Sequence, residues 1–145
     1  MFKFIEKQFR KPSGLLGKYI VKKMKELNHP IYDKLIASLG IQNYDKIFEI
    51  GYGHGIGIDK ILCLNVVYFW DDLELPFKKI FKGLKKEGIL ALFMDGPDDL
   101  TRQKLKNTAI FNKHTIEQVV EKLKESGFNS IDYSYDHGYY VICKK

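Results

Sequence analysis

Four glycines at alternate positions follow a hydrophobic run in residues 47–57, "IFEIGYGHGIG". The run is apolar except for Glu49, and it predicts a buried strand ending near Ile50. The glycines are Gly51, Gly53, Gly55 and Gly57. Without a Cβ, glycine lets a chain turn sharply out of a strand and lets its backbone approach a ligand closely. A tight turn without a ligand would explain a lone pair of glycines, whereas four of them after an acidic strand end favour a ligand site.

The remaining sequence alternates helical and strand-like patterns. Five helices are predicted. The first contains Phe2, Ile5 and Phe9, the second covers 15–27, and after a break at His29-Pro30 the third runs from Tyr32 to a stop at Gly40. The fourth has Pro76 in its first turn and stops at Gly88, and the fifth begins with a Thr115/Gln118 capping box and stops at Gly127. The predicted strands are 46–50, 60–70, 89–94, 130–135 and 139–143, with Asp136-His137-Gly138 as the turn of a final hairpin. This alternation predicts an α/β sheet, in which ligands bind beyond the carboxyl ends of the strands. The glycines lie at such an end.

Composition indicates one globular unit over residues 1–145. The chain has 145 residues, 45% hydrophobic and 14% aromatic, enough to bury one core. No apolar run approaches the roughly 20 residues of a membrane span, and the charged N-terminus does not resemble a signal peptide, so we expect a cytoplasmic protein. Cys63 and Cys143 lie in apolar runs, which favours buried, reduced thiols over a disulfide, a metal ligand or a nucleophile. The net charge of +6 comes mainly from lysines scattered along helix faces, so nucleic acid is not the expected partner.

Known phosphate-binding patterns do not fit the glycine run. The dinucleotide pattern G-x-G-x-x-G fails from every glycine, and no Gly-Lys-Ser/Thr of a P-loop follows. Residues 47–55, "IFEIGYGHG", instead resemble motif I of the class I S-adenosylmethionine-dependent methyltransferases, which has an acidic residue in a strand followed by G-x-G-x-G.

Further segments resemble the same family in the same order. "KPSGLLGKYIVKKM" is similar to the N-terminal lid helices of its small-molecule members, "CLNVVYFWDD" to strand four and the loop after it, "FKKIFKGLKKEGILALF" to the helix and strand five, and the last two strands to strands six and seven. The resemblance implies a Rossmann-like methyltransferase sheet with helices on both faces, lid helices in residues 1–40, a core in 45–145 and a C-terminal antiparallel hairpin. It also implies S-adenosylmethionine as the cofactor and no metal.

The resemblance also assigns residues to the cofactor. Glu49 would anchor the loop and face the methionine ammonium group, and Asn65 would lie near the methionine end. The glycine run would pass beneath the cofactor through Gly51, Gly53 and Gly55, with Tyr52 and His54 beside it. Tyr68 and Trp70 would face the substrate, although a purely structural role in the core is equally compatible with the sequence. Tyr19, together with Ser13 and Gly14, would close over the pocket.

The function implied is methyl transfer to a small-molecule acceptor by in-line displacement, which depends on alignment and the exclusion of water. A base is optional, and nothing in the spacing selects among Tyr68, His54 and His137. The alternative is a non-catalytic or degenerate module on the same fold, with nucleic acid as one partner class. Neither the acceptor nor the oligomeric state follows from the sequence.

One departure from the family is large. Strands two and three and the ribose-holding acid should lie between motif I and strand four, yet only residues 58–60 separate Gly57 from the next apolar run, and a parallel crossover unit takes about 30 residues. Three explanations compete. Residues 57–65 could be a short helix and 66–72 strand two, with Asp71 or Asp72 as the acid; the segment could be lost; or residues could be missing from the sequence between Gly57 and Cys63, the explanation we favour.

Overall fold

The structure, a computed structural model, describes residues 13–50, 57–96 and 111–145. The elements in chain order are α1 (Gly14–Leu39), β1 (Ile47–Glu49), β2 (Ile58–Leu64), a short 3₁₀-helix (Val67–Phe69), α2 (Glu74–Gly83), β3 (Leu84–Asp95), α3 (Ile116–Glu125), β4 (Ser130–Tyr135) and β5 (Gly138–Lys144). The helix predicted around Phe2, Ile5 and Phe9 lies outside the described residues.

The strands form one mixed sheet in the order β1-β2-β3-β5-β4. β1, β2 and β3 are parallel, whereas β5 runs antiparallel to both β3 and β4. The parallel part is apolar on both faces, as expected for strands covered by helices on each side.

Helices cover both faces of the sheet, which confirms the predicted architecture. On one face, the second half of α1 packs through Leu35 and Leu39 against Leu62, Ala91 and Phe93. On the other face α2 and α3 pack over the sheet, and the members of this larger core include Phe77, Ile80, Val119, Leu123, Cys63, Leu90 and Val141. Few large side chains of the first half of α1 are buried, and Leu15 and Leu27 are 86% and 61% exposed.

The predicted helix break at His29-Pro30 is wrong. Helix α1 runs through Pro30 and ends at Gly40, whose φ of 54° and ψ of 51° make it the predicted left-handed cap. Proline removes one backbone hydrogen bond, but packing of Leu35 and Leu39 on the sheet favours continuing the helix. Lys60 of β2 supports the end of α1 by donating to the carbonyl of Leu39 at 2.7 Å, where a positive charge is favourable.

Two boundaries in the middle of the chain differ from the prediction. The strand expected over 60–70 ends at Leu64, because Asn65 adopts a φ of 54° and the chain then forms the 3₁₀-helix. The helix expected to stop at Gly88 ends at Gly83, because Leu84 already has extended backbone and pairs with Ile58 of β2. Gly88 therefore lies inside β3.

The C-terminal third follows the sequence pattern closely. Thr115 and Gln118 form a reciprocal capping box at the start of α3. The antiparallel hairpin of β4 and β5 turns at Asp136 and His137 as predicted. Gly138 is required where β5 begins, since a Cβ built there would lie 2.3 Å from the ring of Phe93.

Among the described strands, β1 lies at one edge of the sheet, next to β2. The explanation in which residues 57–65 form a crossover helix and 66–72 strand two is wrong, because Ile58–Leu64 is a strand paired in parallel with β1. The assignment of this run to strand four of the family stays a prediction. No described helix combines the length and apolar character needed to cross a membrane.

Candidate functional site

The carboxyl ends of the three parallel strands meet at one edge of the sheet. The register pairs Glu49 of β1 with Leu62 of β2, and Leu64 of β2 with Phe93 of β3. Asn65 therefore follows β2 directly beyond the end of β1, and its backbone N–H donates to the carbonyl of Phe93 at 3.0 Å. Ligands of open α/β sheets bind outside such an edge. Ile50, the last described residue before the glycine run, lies at the same edge.

Glu49 is held in place from α1. The hydroxyl of Tyr32 donates to Oε1 of Glu49, and both side chains are partly buried. Tyr32 can reach β1 because it lies on the half of α1 that packs on this face through Leu35. A carboxylate fixed in one position and partly screened from water is suited to receive a cationic ligand group.

Asn65 presents an unsatisfied acceptor at this edge. Its Oδ1 is buried and has no hydrogen-bond partner among the described residues. Leaving a buried carbonyl oxygen unpaired costs about 1–3 kcal/mol, so such an atom in a native fold calls for an explanation. Its positive φ of 54° sits in a region that asparagine tolerates better than most residues. The position therefore combines a permissive backbone with an acceptor that a ligand donor could satisfy.

The segment after Asn65 contains the two predicted substrate-side aromatics. Tyr68 is 4% exposed, lies in the core, and its hydroxyl accepts a hydrogen bond from the backbone N–H of Asp95. Trp70 packs edge-on against Phe77 of α2, with ring centroids 5.6 Å apart. These contacts agree with a structural role in the core, the alternative to a substrate-facing role for both residues. A substrate-facing role for Tyr68 and Trp70 gains no support from them and stays a prediction.

Sequence reasoning missed the residues that hold this segment. The side-chain amide of Asn112 and the Nε2–H of His114 both donate to the carbonyl of Trp70, at 2.8 and 2.9 Å. The backbone N–H of Asn112 also donates to the carbonyl of Tyr68 at 2.8 Å. No sequence signal could have found these bonds, because more than 40 residues separate the partners.

Several predicted cofactor residues lie outside the described residues: Gly51, Tyr52, Gly53, His54 and Gly55. Tyr19 is described and 60% exposed. It lies 13 residues before Tyr32 on α1, or about 20 Å along a helix at ~1.5 Å per residue. The structure therefore places Glu49 and Asn65 at the same edge of the sheet and Tyr19 apart from it. Their roles toward a cofactor stay predictions.

Neither cysteine is suited to chemistry at this edge. Cys63 and Cys143 are fully buried, and burial raises the pKa of the Cys63 thiol strongly and that of Cys143 to about 12. Both therefore stay protonated near neutral pH.

Asp72, the acid of the rejected crossover explanation, accepts from the backbone N–H groups of Glu74 and Leu75 at the start of α2, and these bonds lower its pKa. Across residues 13–50, 57–96 and 111–145, no three or more His, Cys, Asp or Glu side chains are grouped to hold a metal ion.

The residues at the edge fit the amino-acid end of S-adenosylmethionine. An ammonium group offers three N–H donors. Glu49 at the end of β1 and Asn65 just after β2 offer acceptors, and Oδ1 of Asn65 has no partner among the described residues. Asp72, one of the two acids considered for the ribose, is engaged at the start of α2 instead. The fit therefore covers the methionine end of the cofactor.

No protein-family model matches the sequence, and no curated protein matches it. Solved structures do match. A SAM-dependent methyltransferase from Thermotoga maritima, described as a possible histamine N-methyltransferase, has 15% identity and a TM-score of 0.66, with 97% of this chain and 99% of that one covered. A structure of the Haloferax volcanii Trm112 methyltransferase activator with a presumed methyltransferase gives 8% identity and a TM-score of 0.71, covering 85% of this chain and 92% of the matched one.

Human N-acetylserotonin methyltransferase in complex with SAM has 14% identity and a TM-score of 0.54, over 65% of this chain and 31% of that one. The chain likewise spans 33% of the length of two other methyltransferase structures that it matches. At these identities the likeness concerns the fold. Together with the sheet order and the helices on both faces, it shows that this chain has the class I S-adenosylmethionine-dependent methyltransferase fold.

Proposed function

We propose that the protein transfers a methyl group from S-adenosylmethionine to a small-molecule acceptor. The single observation that carries the proposal is the placement of Glu49 and Asn65 at the carboxyl ends of two adjacent parallel strands, where Oδ1 of Asn65 has no hydrogen-bond partner among the described residues. The glycine run that follows β1 resembles motif I of this family, and its glycines permit close approach of a ligand. The methyltransferase fold supports the same ligand.

In this proposal S-adenosylmethionine supplies an electrophilic methyl group on its sulfonium. Glu49, held by Tyr32, balances the charge of the ammonium group, and Asn65 Oδ1 accepts a hydrogen bond from it. Both contacts fix the methionine end and so orient the methyl group toward the acceptor. Orientation of this kind is the main catalytic contribution in an in-line displacement.

The segment 65–70 would form the floor on which the acceptor lies. It is fastened by the bond from the backbone N–H of Asp95 to the Tyr68 hydroxyl and by the bonds from Asn112 and His114 to the carbonyl of Trp70. A fixed floor keeps water out and the acceptor aligned, without a dedicated base. An acceptor that must lose a proton would need assistance, and the described contacts nominate no residue for that role.

Calorimetric titration with S-adenosylmethionine and its demethylated product tests the proposal. We expect micromolar binding of both. Asn65→Gly keeps the backbone at its positive φ and removes the acceptor, so the affinity should fall roughly tenfold or more, as expected for loss of a hydrogen bond to a charged group. Asn65→Asp keeps an acceptor oxygen and should bind within a few-fold of the unaltered protein.

His137→Gly is the matched control, because His137 has a φ of 53° and a side chain 99% exposed in the β4–β5 turn. Its affinity should be unchanged. Failure of the unaltered protein to bind either compound would contradict the proposal and support a non-catalytic module. Equal affinities of Asn65→Gly and His137→Gly would show that Asn65 does not contact the ligand.

A further inference from the structure

A groove lies between α1 and the C-terminal hairpin, on the face of the sheet that α1 covers. Its volume is about 220 Å³. Sites for drug-sized ligands span about 300–1,000 Å³, so the groove suits a smaller molecule. The residues that line it include Lys34 and Ser38 of α1, Asp132 and Ser134 of β4, and Tyr140 and Ile142 of β5.

The groove and Glu49 lie on opposite flanks of α1. Tyr32, which holds Glu49, and Lys34, which lines the groove, are two residues apart. At about 3.6 residues per turn, their side chains leave the helix roughly 200° apart. Leu35 lies between these two flanks and packs on the sheet. The groove is therefore separate from the place proposed for the methyl donor.

The two hairpin strands give the groove an apolar floor and a polar wall. The register places Asp132 opposite Ile142, and Ser134 opposite Tyr140. Side chains of such cross-strand pairs stand on the same face of the sheet, with Cβ atoms about 5 Å apart. Tyr140 belongs to the core cluster under α1, and Ile142 packs against that cluster. A ligand in the groove would therefore meet apolar surface beside the polar groups of β4.

Tyr140 carries a polar group that the described residues leave without a partner. Tyr140 is only 9% exposed, and its hydroxyl makes no hydrogen bond within the described ranges. Its ring is fixed by Phe93, with centroids 4.8 Å apart, and by Nζ of Lys34, 4.0 Å from its centroid. Burial raises the pKa of the hydroxyl, which stays protonated at neutral pH and can donate. Hydroxyls buried to this extent generally have a partner, and the groove has room for one.

The charges around the groove favour a cation. Lys34 is already paired with Asp136, at 2.8 Å between Nζ and Oδ2. The carboxylate of Asp132 is exposed and makes no hydrogen bond or ion pair within residues 13–50, 57–96 and 111–145. One negative charge among these three groups is therefore unbalanced. It attracts a positive ligand group and repels an anion.

We propose that this groove binds a small amino alcohol with a compact hydrocarbon body. The ammonium group pairs with Asp132, the ligand hydroxyl accepts a hydrogen bond from Tyr140, and the hydrocarbon lies on Ile142. This site shares no residue with the pair proposed to hold S-adenosylmethionine. Failure of the methyl-transfer proposal would therefore leave it standing.

A nuclear magnetic resonance titration with four cyclohexane derivatives tests the proposal. They are trans-4-aminocyclohexanol, which has both polar groups, cyclohexylamine, cyclohexanol and the anion cyclohexanecarboxylate. The backbone amides of Asp132 and Ser134 should shift and saturate with the amino alcohol at millimolar concentration. The amine and the alcohol should each bind roughly fivefold more weakly, since each lacks one contact. The anion should not bind.

Three outcomes of this titration would overturn the proposal. The first is no saturable shift with the amino alcohol, and the second is equal binding of all four compounds. The third is a shift of the Asn65 side-chain amide and the Glu49 backbone amide in place of Asp132 and Ser134, which would put the ligand at the carboxyl edge of the sheet.

Two variants assign the contacts separately. Asp132→Asn removes the charge, so the amino alcohol should lose its advantage over cyclohexanol and keep its advantage over cyclohexylamine. Tyr140→Phe keeps the ring beside Phe93 and removes the hydroxyl, so the opposite pattern is expected. Circular dichroism melting checks that both variants are folded.

Asp33→Asn is the matched control, because Asp33 is an exposed carboxylate of α1 that does not line the groove. It should leave the affinities of all four compounds unchanged. A loss in Asp33→Asn as large as that in Asp132→Asn would show that only the net charge of the protein matters, and would overturn the proposed site.

Discussion

Replacing Leu35 with alanine should destabilise the protein strongly, because Leu35 joins α1 to the sheet. Its side chain is 0% exposed and lies in the core cluster with Leu62, Ala91 and Phe93. The change removes three carbons at about 0.8 kcal/mol each, or roughly 2.4 kcal/mol. The cavity left behind raises the loss in the free energy of unfolding to about 3 kcal/mol.

Leu27→Ala is the matched control on the same helix. Leu27 is 61% exposed, so its replacement should change the free energy of unfolding by less than about 0.5 kcal/mol. The helix propensities cancel, since both variants exchange leucine for alanine within α1.

Urea unfolding followed by circular dichroism measures both effects. With an m-value of about 2 kcal/mol per molar, the Leu35→Ala midpoint should fall by roughly 1.5 M. All proteins must be compared at one concentration, because assembly raises apparent stability. Equal midpoints for Leu35→Ala and Leu27→Ala would refute the docking of α1 on this face of the sheet.

Three further predictions concern the cap, the thiols and one ion pair. Thr115→Ala should lower the free energy of unfolding by about 1 kcal/mol in the same urea assay, because it removes half of the capping box; no change would show that the box is not formed. Cys63 and Cys143 should react with a thiol reagent only after denaturation, since both are fully buried; rapid reaction of the native protein would contradict this burial. The ion pair with Lys34 lowers the pKa of Asp136. The unaltered protein should therefore melt at a higher temperature than Asp136→Asn above about pH 4, and this difference should disappear as the pH falls through the lowered pKa. An advantage independent of pH would exclude the ion pair as its source.

Local sequence signals predicted the elements whose cause is local. The capping box of α3, the glycine cap of α1 and the hairpin turn each depend on residues within a few positions of one another, and all three are observed. The alternation of helices and strands also predicted the layered architecture, because each pattern reports which face is buried.

Boundaries set by tertiary contacts were predicted less well. Pro30 suggested a break, but packing of α1 on the sheet continues the helix through it. Gly88 suggested a helix end, but pairing of Leu84 with Ile58 begins β3 earlier. In both cases contacts between distant segments outweighed a local signal.

The candidate site was predicted in part for the same reason. Glu49 and Asn65 were predicted through the resemblance, and the structure brings them to one edge of the sheet. Tyr32, which holds Glu49, was not singled out for this role, because its partner is 17 residues away on another element. Contacts of this kind depend on the docking of α1, which no local pattern specifies.

The chain between β1 and β2 is shorter than the pattern of the family that the sequence resembles. The sequence alone shows that fewer residues separate the glycine run from the apolar run of β2 than in the family that the sequence resembles. The register shows why this matters, because β1 and β2 are parallel and adjacent. The two remaining explanations, a lost segment and residues missing from the sequence, stay predictions.

The most direct test of the central claim is a nuclear magnetic resonance titration with S-adenosylmethionine that follows the side-chain amide of Asn65, assigned by its absence in Asn65→Asp. The account predicts that this signal and the backbone amide of Glu49 shift and saturate together at micromolar ligand, while the side-chain amide of Asn129, near the start of β4, does not move. Unchanged Asn65 and Glu49 signals at saturating ligand would contradict the account.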